Sequence, residues 1–471
     1  MPVNPLIFRA YDIRGIAHKP ASDKPVDLNP ETAELIGKGI GTYLLSHSGP
    51  EIVVGGDNRL STPEIKEAFI KGMLSTGCNV TDIDLASSPL LYYATCKLEM
   101  DGGINITASH NPKEYNGIKV VGKMAHAICG DELQIVLNII EEEAFKIGEG
   151  RLTKRDDVFD IYVEEMKRII QIDRPLKIAV DAGNGISGKF APDLFRAFGC
   201  EVKELFCELD GNFPNHEANP EDESNLTELI EVMKTGEYDI GIGFDGDGDR
   251  IGLIDENGKH YAADLHLLLL AEDLLSRHPG STIVFDVKAS QIVPELIKKH
   301  GGIPIMAKTG HSFIEKTMQK EGALLAGEVS GHLFFGEDYY GFDDAFVAAL
   351  RTLALLARGT RTLSQYFDEL PETCATPEIK VACPDEHKFR IVEELRDHFI
   401  ESYDCITIDG VRMLFDEDTW GIIRCSNTTP NLTMRFESQD TDRLHRAVKV
   451  VADVMKNHPE VDMSWYDNFK Q

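Results

Sequence analysis

The chain has 471 residues, more than one hydrophobic core can serve, so it is predicted to form roughly three or four domains. Its formal net charge of −31 repels phosphate backbones and anionic lipids, which argues against nucleic acid and membranes as partners. Nine cysteines without a Cys-x-x-Cys pair indicate reduced thiols in the cytoplasm rather than disulfides or zinc ligands. No signal peptide is predicted, because the first residues do not lead from a basic segment into an apolar one. No membrane span is predicted, because His266, Glu272 and Asp273 interrupt the most apolar run, residues 265–275.

One pattern of apolar and small residues occurs three times along the chain. An apolar strand ends in Asp, a loop of small residues and an amphipathic helix follow, and a glycine precedes a second strand. These units begin near Ile52, Ile178 and Ile283. Strands at this spacing pair in parallel through a right-handed crossover, which predicts three related α/β domains in series. The predicted helices cover residues 63–75, 189–198 and 291–300.

The pattern changes after Pro371 to a strand, a helix, several strands and a closing helix over residues 441–457. This order is typical of a smaller α+β domain. The predicted domains are residues 1–152, 153–257, 258–370 and 371–471.

The most informative motif lies between two short apolar strands, at residues 238–244 and 251–254. It reads Asp245-Gly-Asp247-Gly-Asp249-Arg250, with a carboxylate at every second position and glycines that allow a sharp bend. Converging carboxylates suit a hard cation such as Mg²⁺ or Ca²⁺. A calcium loop between two helices is excluded, since Arg250 occupies the sixth position, where that loop needs glycine. A solvated acidic turn is the remaining alternative.

A second polar loop follows an alternating strand at residues 104–106 and reads Thr107-Ala-Ser109-His-Asn-Pro112, with Lys119 a little downstream. Pro112 disfavours helical geometry at the residue before it, so Ser109 is predicted on an exposed loop at a strand end. A hydroxyl there suits a covalent phosphate carrier, although an ordinary loop serine has the same pattern. The flanking glycines of a hydrolase nucleophile elbow are missing, which argues against serine hydrolase chemistry.

Two later loops carry groups suited to sugar phosphates. Residues 327–332 read Gly-Glu-Val-Ser-Gly-His and offer a carboxylate, a hydroxyl and an imidazole for sugar hydroxyls. Residues 424–430 read Arg-Cys-Ser-Asn-Thr-Thr-Pro and contain the donors of a phosphate cradle. Each motif taken alone is also typical of a polar turn between strands.

A glycine-rich loop supports a different function. Residues 183–189 read Gly-Asn-Gly-Ile-Ser-Gly-Lys, follow a strand and open a helix, which fits the dinucleotide fingerprint with Glu204 or Glu208 placed for a ribose. A nucleotide-binding P-loop is excluded, because Phe190 replaces the Ser or Thr that holds the metal. An NAD-dependent enzyme that uses Gly183 to Gly188 remains an alternative, but it leaves the acidic loop and Ser109 without a role. We interpret these glycines as a tight turn in the second α/β unit.

Taken in order, the four polar motifs and residues 8–15, Phe-Arg-Ala-Tyr-Asp-Ile-Arg-Gly, resemble the α-D-phosphohexomutase family. The resemblance covers nearly the whole chain and is closest to the bacterial phosphomannomutase/phosphoglucomutase members. It implies an α/β fold of three related domains and a smaller α+β domain around a central cleft, with one motif from each domain.

The resemblance also implies a role for each matching residue. Ser109 would carry the phosphate and would hold one Mg²⁺ together with Asp245, Asp247 and Asp249. The candidates for proton transfer are Arg14, Lys119 and His332. The residues implied in substrate binding are Tyr11, Arg250, Lys288, His311, Glu328, Ser330, Arg424, Ser426, Asn427 and Thr428.

The implied reaction interconverts the 1-phosphate and 6-phosphate of mannose or glucose. It passes through a phosphoserine and a hexose 1,6-bisphosphate that turns end for end, in a cytoplasmic monomer whose partners are small sugar phosphates. Phosphoglucosamine mutase is the alternative within the family, disfavoured because Val329 stands where that branch carries glutamine. Val329 also replaces the methionine usual in enzymes that act on both sugars, and Ser87-Ser88-Pro89 replaces the usual Thr-Pro. Neither departure is predicted to touch the chemistry.

Overall fold

The computed structural model describes residues 3–18, 25–426 and 429–469, and these residues form four β-sheets in chain order. The first domain has the strands β1 (Ile13–Ile16), β2 (Glu51–Gly56), β3 (Asn79–Leu85), β4 (Gly102–Ile106), β5 (Tyr115–Gly122) and β6 (Leu152–Lys154). Its helices are α1 (Pro30–His47), α2 (Thr62–Leu74), α3 (Ser88–Lys97) and α4 (Asp131–Glu141). The strand order is β1-β5-β4-β2-β3-β6, with β2 parallel to β3 and β4, and with β5 antiparallel to β4.

The second domain repeats the strand, helix and parallel strand of the first. Its strands are β7 (Lys177–Asp181), β8 (Glu201–Leu205), β9 (Ile240–Phe244), β10 (Ile251–Ile254) and β11 (His260–Tyr261), in the order β11-β10-β9-β7-β8. Its helices are α5 (Val158–Ile169), α6 (Ser187–Ala197) and α7 (Thr227–Met233). Strands β9 and β10 are antiparallel, so the acidic motif between them is a hairpin loop.

The third domain has a smaller sheet of the same kind. Its strands are β12 (Thr282–Asp286), β13 (Ile303–Ala307), β14 (Leu325–Gly327) and β15 (Leu333–Phe335), in the order β13-β12-β14-β15. Its helices are α8 (Ala263–Arg277), α9 (Ile292–Lys299), α10 (His311–Glu321), α11 (Ala345–Arg358) and α12 (Leu363–Phe367). The parallel pairs β2–β3, β7–β8 and β12–β13 confirm the three predicted α/β units.

The fourth domain is an antiparallel sheet with helices. Its strands are β16 (Cys374–Ala375), β17 (Ile379–Ala382), β18 (Asp404–Ile406), β19 (Val411–Leu414), β20 (Trp420–Cys425) and β21 (Asn431–Ser438). Its helices are α13 (Asp385–Ile400), α14 (Thr441–Met455) and α15 (Ser464–Phe469). Helix α14 begins where the sequence predicts, because the Asp440 carboxylate accepts the N–H of Arg443 at 2.8 Å and caps the first turn.

The cores show which domains are joined most firmly. One apolar cluster runs through the first three domains, where the rings of Tyr93 and Tyr162 lie 5.1 Å apart and those of Phe244 and Phe346 lie 5.4 Å apart. The fourth domain has a separate cluster. A small cluster that includes Trp420 joins it to the third domain.

All nine cysteines are free thiols, as the sequence predicts. None of the helices in the described ranges has the length and apolar character that crossing a bilayer requires.

Candidate active site

Ser109 lies on the loop after β4, in a backbone conformation that serine seldom adopts. Its φ is +50°, and the side chain is almost fully buried. The hydroxyl donates to Asp245 Oδ2 at 2.7 Å, so this loop meets the acidic loop directly. Arg59 holds the loop from behind, since its Nη2 donates to the carbonyls of Ser109 and Asn111, each at 2.7 Å. The serine that the motif singled out is therefore fixed against the predicted metal ligands.

The acidic loop is closed by one of its own carboxylates. Asp245 Oδ1 accepts the backbone N–H groups of Gly248, Asp249 and Arg250 at 3.0 to 3.2 Å. Gly246 packs against the Ser109 loop so closely that a Cβ there would lie 2.3 Å from the Ser109 carbonyl oxygen. Glycine is required at this position because no side chain fits between the two loops.

The three carboxylates of the acidic loop fit a metal ion. Asp245, Asp247 and Asp249 each place an oxygen within 4.8 Å of the others, and all three side chains are buried. Among the described residues, Asp247 Oδ1 and Asp249 Oδ1 have no hydrogen-bond partner. Buried anionic oxygens without partners are unfavourable, and a hard cation would satisfy them. Burial and the charges of Asp249 and Asp247 raise the pKa of Asp245 well above its usual value.

Lys119 lies on β5, opposite Asn105 of β4, and its ammonium group reaches the same carboxylates. Nζ donates to Asp247 Oδ2 at 2.7 Å and also contacts Asp249. Burial alone would lower the pKa of Lys119, but the two aspartates raise it well above its usual value. The lysine is therefore a fixed positive charge beside Ser109 and the acidic loop.

Ser88 corrects one expectation from the sequence. Its hydroxyl donates to Asp247 Oδ2 at 2.7 Å, and its N–H donates to the Asp247 carbonyl at 2.9 Å. Asn105 in turn donates to the Ser88 hydroxyl at 3.0 Å. The prediction that this departure stays away from the chemistry is wrong, because the start of α3 faces the acidic loop across the boundary between two domains.

His332 and Arg250 form a second polar group on the other side of the acidic loop. Arg250 Nε donates to His332 Nε2 at 3.0 Å, and His332 Nδ1 lies 2.6 Å from Asp343 Oδ2. Since the guanidinium can only donate, Nε2 accepts and Nδ1 carries the proton shared with Asp343. His332 Nδ1 also lies 3.7 Å from Asp249 Oδ1, so this pair adjoins the metal ligands.

Arg14 and His311 complete the surroundings of the Ser109 loop. Arg14 Nε donates to Asp12 at 2.7 Å and its Nη1 donates to Asn111 Oδ1 at 2.9 Å. The His311 ring lies 5.7 Å from the His332 ring and 5.5 Å from the Tyr11 ring. The structure thus places all of these predicted residues in one region with Ser109.

The third domain contributes the loop that the sequence predicts for sugar hydroxyls. Glu328 is buried and accepts the N–H of Gly310 at 2.5 Å. Ser330 lines a cavity of about 470 Å³ between the second, third and fourth domains, together with Lys288 and Val329. Lys288 Nζ is paired with Glu378 of the fourth domain at 2.6 Å. Val329 therefore borders this cavity, within reach of a ligand bound there.

The fourth domain presents Arg424 from the end of β20. Arg424 Nε donates to Asp409 Oδ2 at 2.7 Å, and its buried Nη2 has no hydrogen-bond partner among the described residues. The Ser426 hydroxyl lies 2.8 Å from the Thr429 hydroxyl. The other two residues predicted here, Asn427 and Thr428, lie outside the described residues.

The glycine-rich loop, residues 183–189, packs against the acidic loop. The N–H groups of Gly183, Gly185 and Ile186 all donate to acceptors within the protein, the last to the Gly246 carbonyl at 3.2 Å. A dinucleotide site needs such groups to face a pyrophosphate. The contacts therefore favour a tight turn over the NAD-dependent alternative.

Three residues that contact predicted site residues were not themselves predicted to belong to the site. Asp343 and Asp409 belong to no recognised motif, and Ser88 was noted only as a departure from the usual Thr-Pro. The Asp409-Gly410 pair is a turn signal, which predicts a turn and no partner.

Comparison with known proteins identifies the family. Four family descriptions match in chain order: phosphoglucomutase/phosphomannomutase α/β/α domains I, II and III and the C-terminal domain, over residues 5–147, 160–258, 263–374 and 378–454.

Relatives match over nearly the whole chain. A phosphomannomutase/phosphoglucomutase of Pseudomonas putida is 42% identical over 459 residues, 97% of each chain. A phosphoglucomutase of Neisseria gonorrhoeae is 39% identical and covers 97% of this chain and 98% of its own. The crystal structure of a phosphoglucomutase/phosphomannomutase family protein of Burkholderia thailandensis has a TM-score of 0.90 at 37% identity, covering 98% of this chain and 99% of that one. With identity of this degree along all four domains, the chain belongs to the α-D-phosphohexomutases and lies close to their bacterial phosphomannomutase/phosphoglucomutase members.

Proposed function

We propose that this protein is a phosphohexomutase that interconverts the 1-phosphate and 6-phosphate of mannose, of glucose or of both. The observation that carries the proposal is the contact between Ser109 and the acidic loop. A hydroxyl that donates to Asp245 at 2.7 Å, beside two further carboxylates and the ammonium of Lys119, suits phosphoryl transfer. The names of the relatives support the same reaction.

Ser109 is the proposed phosphate carrier. A phosphoserine carries about −1.5 to −2 charges, and a sugar phosphate brought close to it repels it by about 4 kcal/mol per unit pair at 4 Å and an effective dielectric near 20. Lys119 and Arg250 supply positive charge on either side of the acidic loop. Arg14, which donates to Asn111, adds a third positive charge beside the Ser109 loop. These fixed cations offset the repulsion between the two phosphates.

Asp245, Asp247, Asp249 and the Ser109 phosphate would hold one Mg²⁺. When bound, the ion supplies charge stabilisation to the phosphoryl group and to the serine oxygen that leaves. The unpartnered oxygens of Asp247 and Asp249 support this ligand set.

The transfer needs a route for one proton in each direction. The phosphoryl group passes in line from Ser109 Oγ to a free sugar hydroxyl, whose proton leaves as the new P–O bond forms. The three groups proposed to handle that proton are Arg14, Lys119 and His332. His332 is oriented by Asp343 at Nδ1, which leaves Nε2 on the side of Arg250.

The remaining groups hold the substrate. We assign the sugar hydroxyls to Glu328 and Ser330, with Lys288, His311 and Tyr11 around them. The phosphate that does not react is assigned to Arg424, Ser426, Asn427 and Thr428. Nη2 of Arg424 supports that assignment, because it is a buried donor without a hydrogen-bond partner in the described part of the chain.

A bisphosphate intermediate then turns end for end, so that its other phosphate can return to Ser109. The separate core of the fourth domain supports a motion of that domain about the linker near Pro371 while the intermediate turns. We also propose that the protein acts as a monomer in the cytoplasm, where its nine free thiols would stay reduced. Size-exclusion chromatography with light scattering tests the monomer.

The proposed function is tested by a coupled assay with mannose 1-phosphate, glucose 1-phosphate and glucosamine 1-phosphate, with Mg²⁺ and catalytic hexose 1,6-bisphosphate. We expect turnover of the mannose and glucose substrates and a loss of about a thousandfold or more in Ser109→Ala, because the transfer has no other acceptor. Mass spectrometry of active protein should show phosphate on the peptide that contains Ser109. Ser46→Ala, an exposed helical serine of the same domain, is the matched control.

Two outcomes would change the assignment. Preference for glucosamine 1-phosphate would favour phosphoglucosamine mutase. Full activity of Ser109→Ala would refute the phosphoserine.

A further inference from the structure

The backbone of Thr309 lies where three domains meet. Its carbonyl accepts the hydroxyl of Tyr11, from the first domain, at 3.0 Å. Its N–H donates to Asp409 Oδ2, from the fourth domain, at 3.1 Å. Its own side chain donates to Asp286 of the third domain at 3.1 Å. One carboxylate of the fourth domain is therefore bound to the backbone beside the proposed sugar site.

The same carboxylate oxygen also orients Arg424. Asp409 Oδ2 accepts Arg424 Nε at 2.7 Å, and the side chains of the two residues are 17% and 5% exposed. A bond at Nε fixes the plane of the guanidinium and leaves both Nη groups for other acceptors. Nη2 is buried and has no partner among the described residues. The geometry leaves the fork of the arginine available for a second anion.

The position of Asp409 is fixed by the turn that carries it. Gly410 has a φ of +74°, and a Cβ there would lie 2.1 Å from the Ile423 carbonyl oxygen. The turn between β18 and β19 is therefore pressed against β20, immediately before Arg424. Asp409 cannot move away from Arg424 without unpacking this turn.

We propose that Asp409 is a positioning residue that aims Arg424 at the non-reacting phosphate and links this pair to the third domain when the fourth domain is docked. This inference rests on the proposed mutase function for the identity of the anion. One oxygen serves both Arg424 Nε and the Thr309 N–H, so the atom that orients the arginine also contacts the third domain. When the domain swings out, the bond to Thr309 breaks, and the Asp409–Arg424 pair moves away from the third domain as one unit.

A positioning role for Asp409 predicts a specific pattern of kinetic effects. Asp409 does not touch the reacting atoms, so its loss should weaken substrate binding more than it slows the chemical step. We expect the KM for sugar phosphate to rise about tenfold or more in Asp409→Ala, which is the usual effect of removing a charged hydrogen-bond partner. The change in kcat should be at least threefold smaller than the change in KM. The inhibition constant for inorganic phosphate should rise in parallel with KM.

Asp409→Asn keeps the shape of the side chain and removes its charge. Its amide oxygen can still accept one of the two donors, so we expect a rise in KM between those of wild type and Asp409→Ala. The matched control is Asp404→Asn, which removes one charge from an exposed position of the same hairpin. Its KM should equal that of the wild type within twofold.

Hydrogen exchange at Thr309 tests the coupling independently of catalysis. Its amide N–H should exchange about tenfold faster in Asp409→Ala than in the wild type and the control, while amides of the shared core of the first three domains keep their protection. An unchanged KM together with unchanged exchange in Asp409→Ala would overturn the inference. Faster exchange throughout the third domain would also overturn it, since Asp409 would then act by general stability. A wild type without mutase activity would refute the proposed function instead, and the Thr309 exchange would still decide whether Asp409 holds the two domains together.

Discussion

The proposed reacting end of the cleft, around Ser109, and the proposed phosphate end, around Arg424, differ in how their side chains are held. At the reacting end, Ser109 contacts Asp245 and Lys119 contacts Asp247 directly, on domains that share one apolar core. At the phosphate end, Arg424 belongs to a domain with its own core and is linked to the third domain through Asp409. In the proposed mechanism the reacting groups are thus arranged before substrate arrives, whereas the second phosphate site reaches the substrate when the fourth domain docks.

Because of this difference, substitutions at the two ends should change different kinetic parameters. A group at the reacting end stabilises charge that develops during transfer, so its loss should lower kcat. A group at the phosphate end holds the substrate equally in the ground state and the transition state, so its loss should raise KM.

Replacing Asp247 by Ala should have the largest effect. It removes a proposed metal ligand and one of the two carboxylates that hold Lys119, so we expect kcat to fall about a thousandfold or more. Isothermal titration calorimetry should also show that Mg²⁺ binding is lost, which measures the site without relying on activity.

Glu237→Ala, an exposed carboxylate of the same domain, is the control for Asp247→Ala and should keep both properties. Wild-type kcat in Asp247→Ala would contradict the idea that the reacting end is arranged around the acidic loop.

Two serine variants should give an intermediate effect and test the contrast directly. Ser88→Ala removes a donor to Asp247 and should lower kcat by about tenfold, the usual effect of one lost bond to a charged group. Ser426→Ala removes a hydroxyl from the phosphate loop and should raise KM several-fold with little change in kcat. Steady-state kinetics of the two variants side by side give the answer. The contrast fails if both serines change the same parameter.

The smallest effect on activity is expected for the buried His266 of the third domain, which should change stability rather than catalysis. Its Nε2 lies 2.7 Å from the Thr352 hydroxyl, and burial lowers its pKa to about 3, against about 6.5 in an unfolded chain. Between these pH values the unfolded chain binds the extra proton, so this contribution to stability is complete above pH 6.5 and is lost as the pH falls. His266→Gln cannot titrate. The free energy of unfolding of this variant, relative to that of the wild type, should therefore rise by about 1.4 kcal/mol for each unit that the pH falls below 6.

The probe for this last prediction can separate the two cores. Both tryptophans of the chain, Trp420 and Trp465, lie in the fourth domain, so their fluorescence reports its unfolding. Circular dichroism reports all four domains. We expect the pH effect of His266 in the circular dichroism transition and a smaller one in fluorescence. An equal shift of both would mean that the four domains unfold as one unit.

Local patterns made much of the fold predictable. The helix predicted over residues 63–75 is Thr62–Leu74, and the strand predicted over residues 251–254 is Ile251–Ile254. Strand alternation, helix periodicity and glycine each act within a few residues, so they can be read from the chain directly. The predicted closing helix, residues 441–457, ends at Met455, and the short helix after it was not predicted.

The site was predictable where a motif carries its own chemistry, as in the acidic loop. Ser88 was assigned no contact because its partner, Asp247, is 159 positions away in the chain. Asp343 and Asp409 contact the predicted residues His332 and Arg424 within one domain, through pairings between separate loops and strands of that domain. Such pairings follow from three-dimensional register, which no local pattern encodes.

The narrow gap at Gly246 ties the first two domains together at their most sensitive point. Since not even one added carbon fits there, any sliding between these domains would displace the Ser109 hydroxyl from Asp245. The end-for-end turn that we propose for the intermediate requires one seam of the cleft to open, and the seam beside the fourth domain is left to flex. The close packing at Gly246 thus selects which joint moves in the proposed cycle.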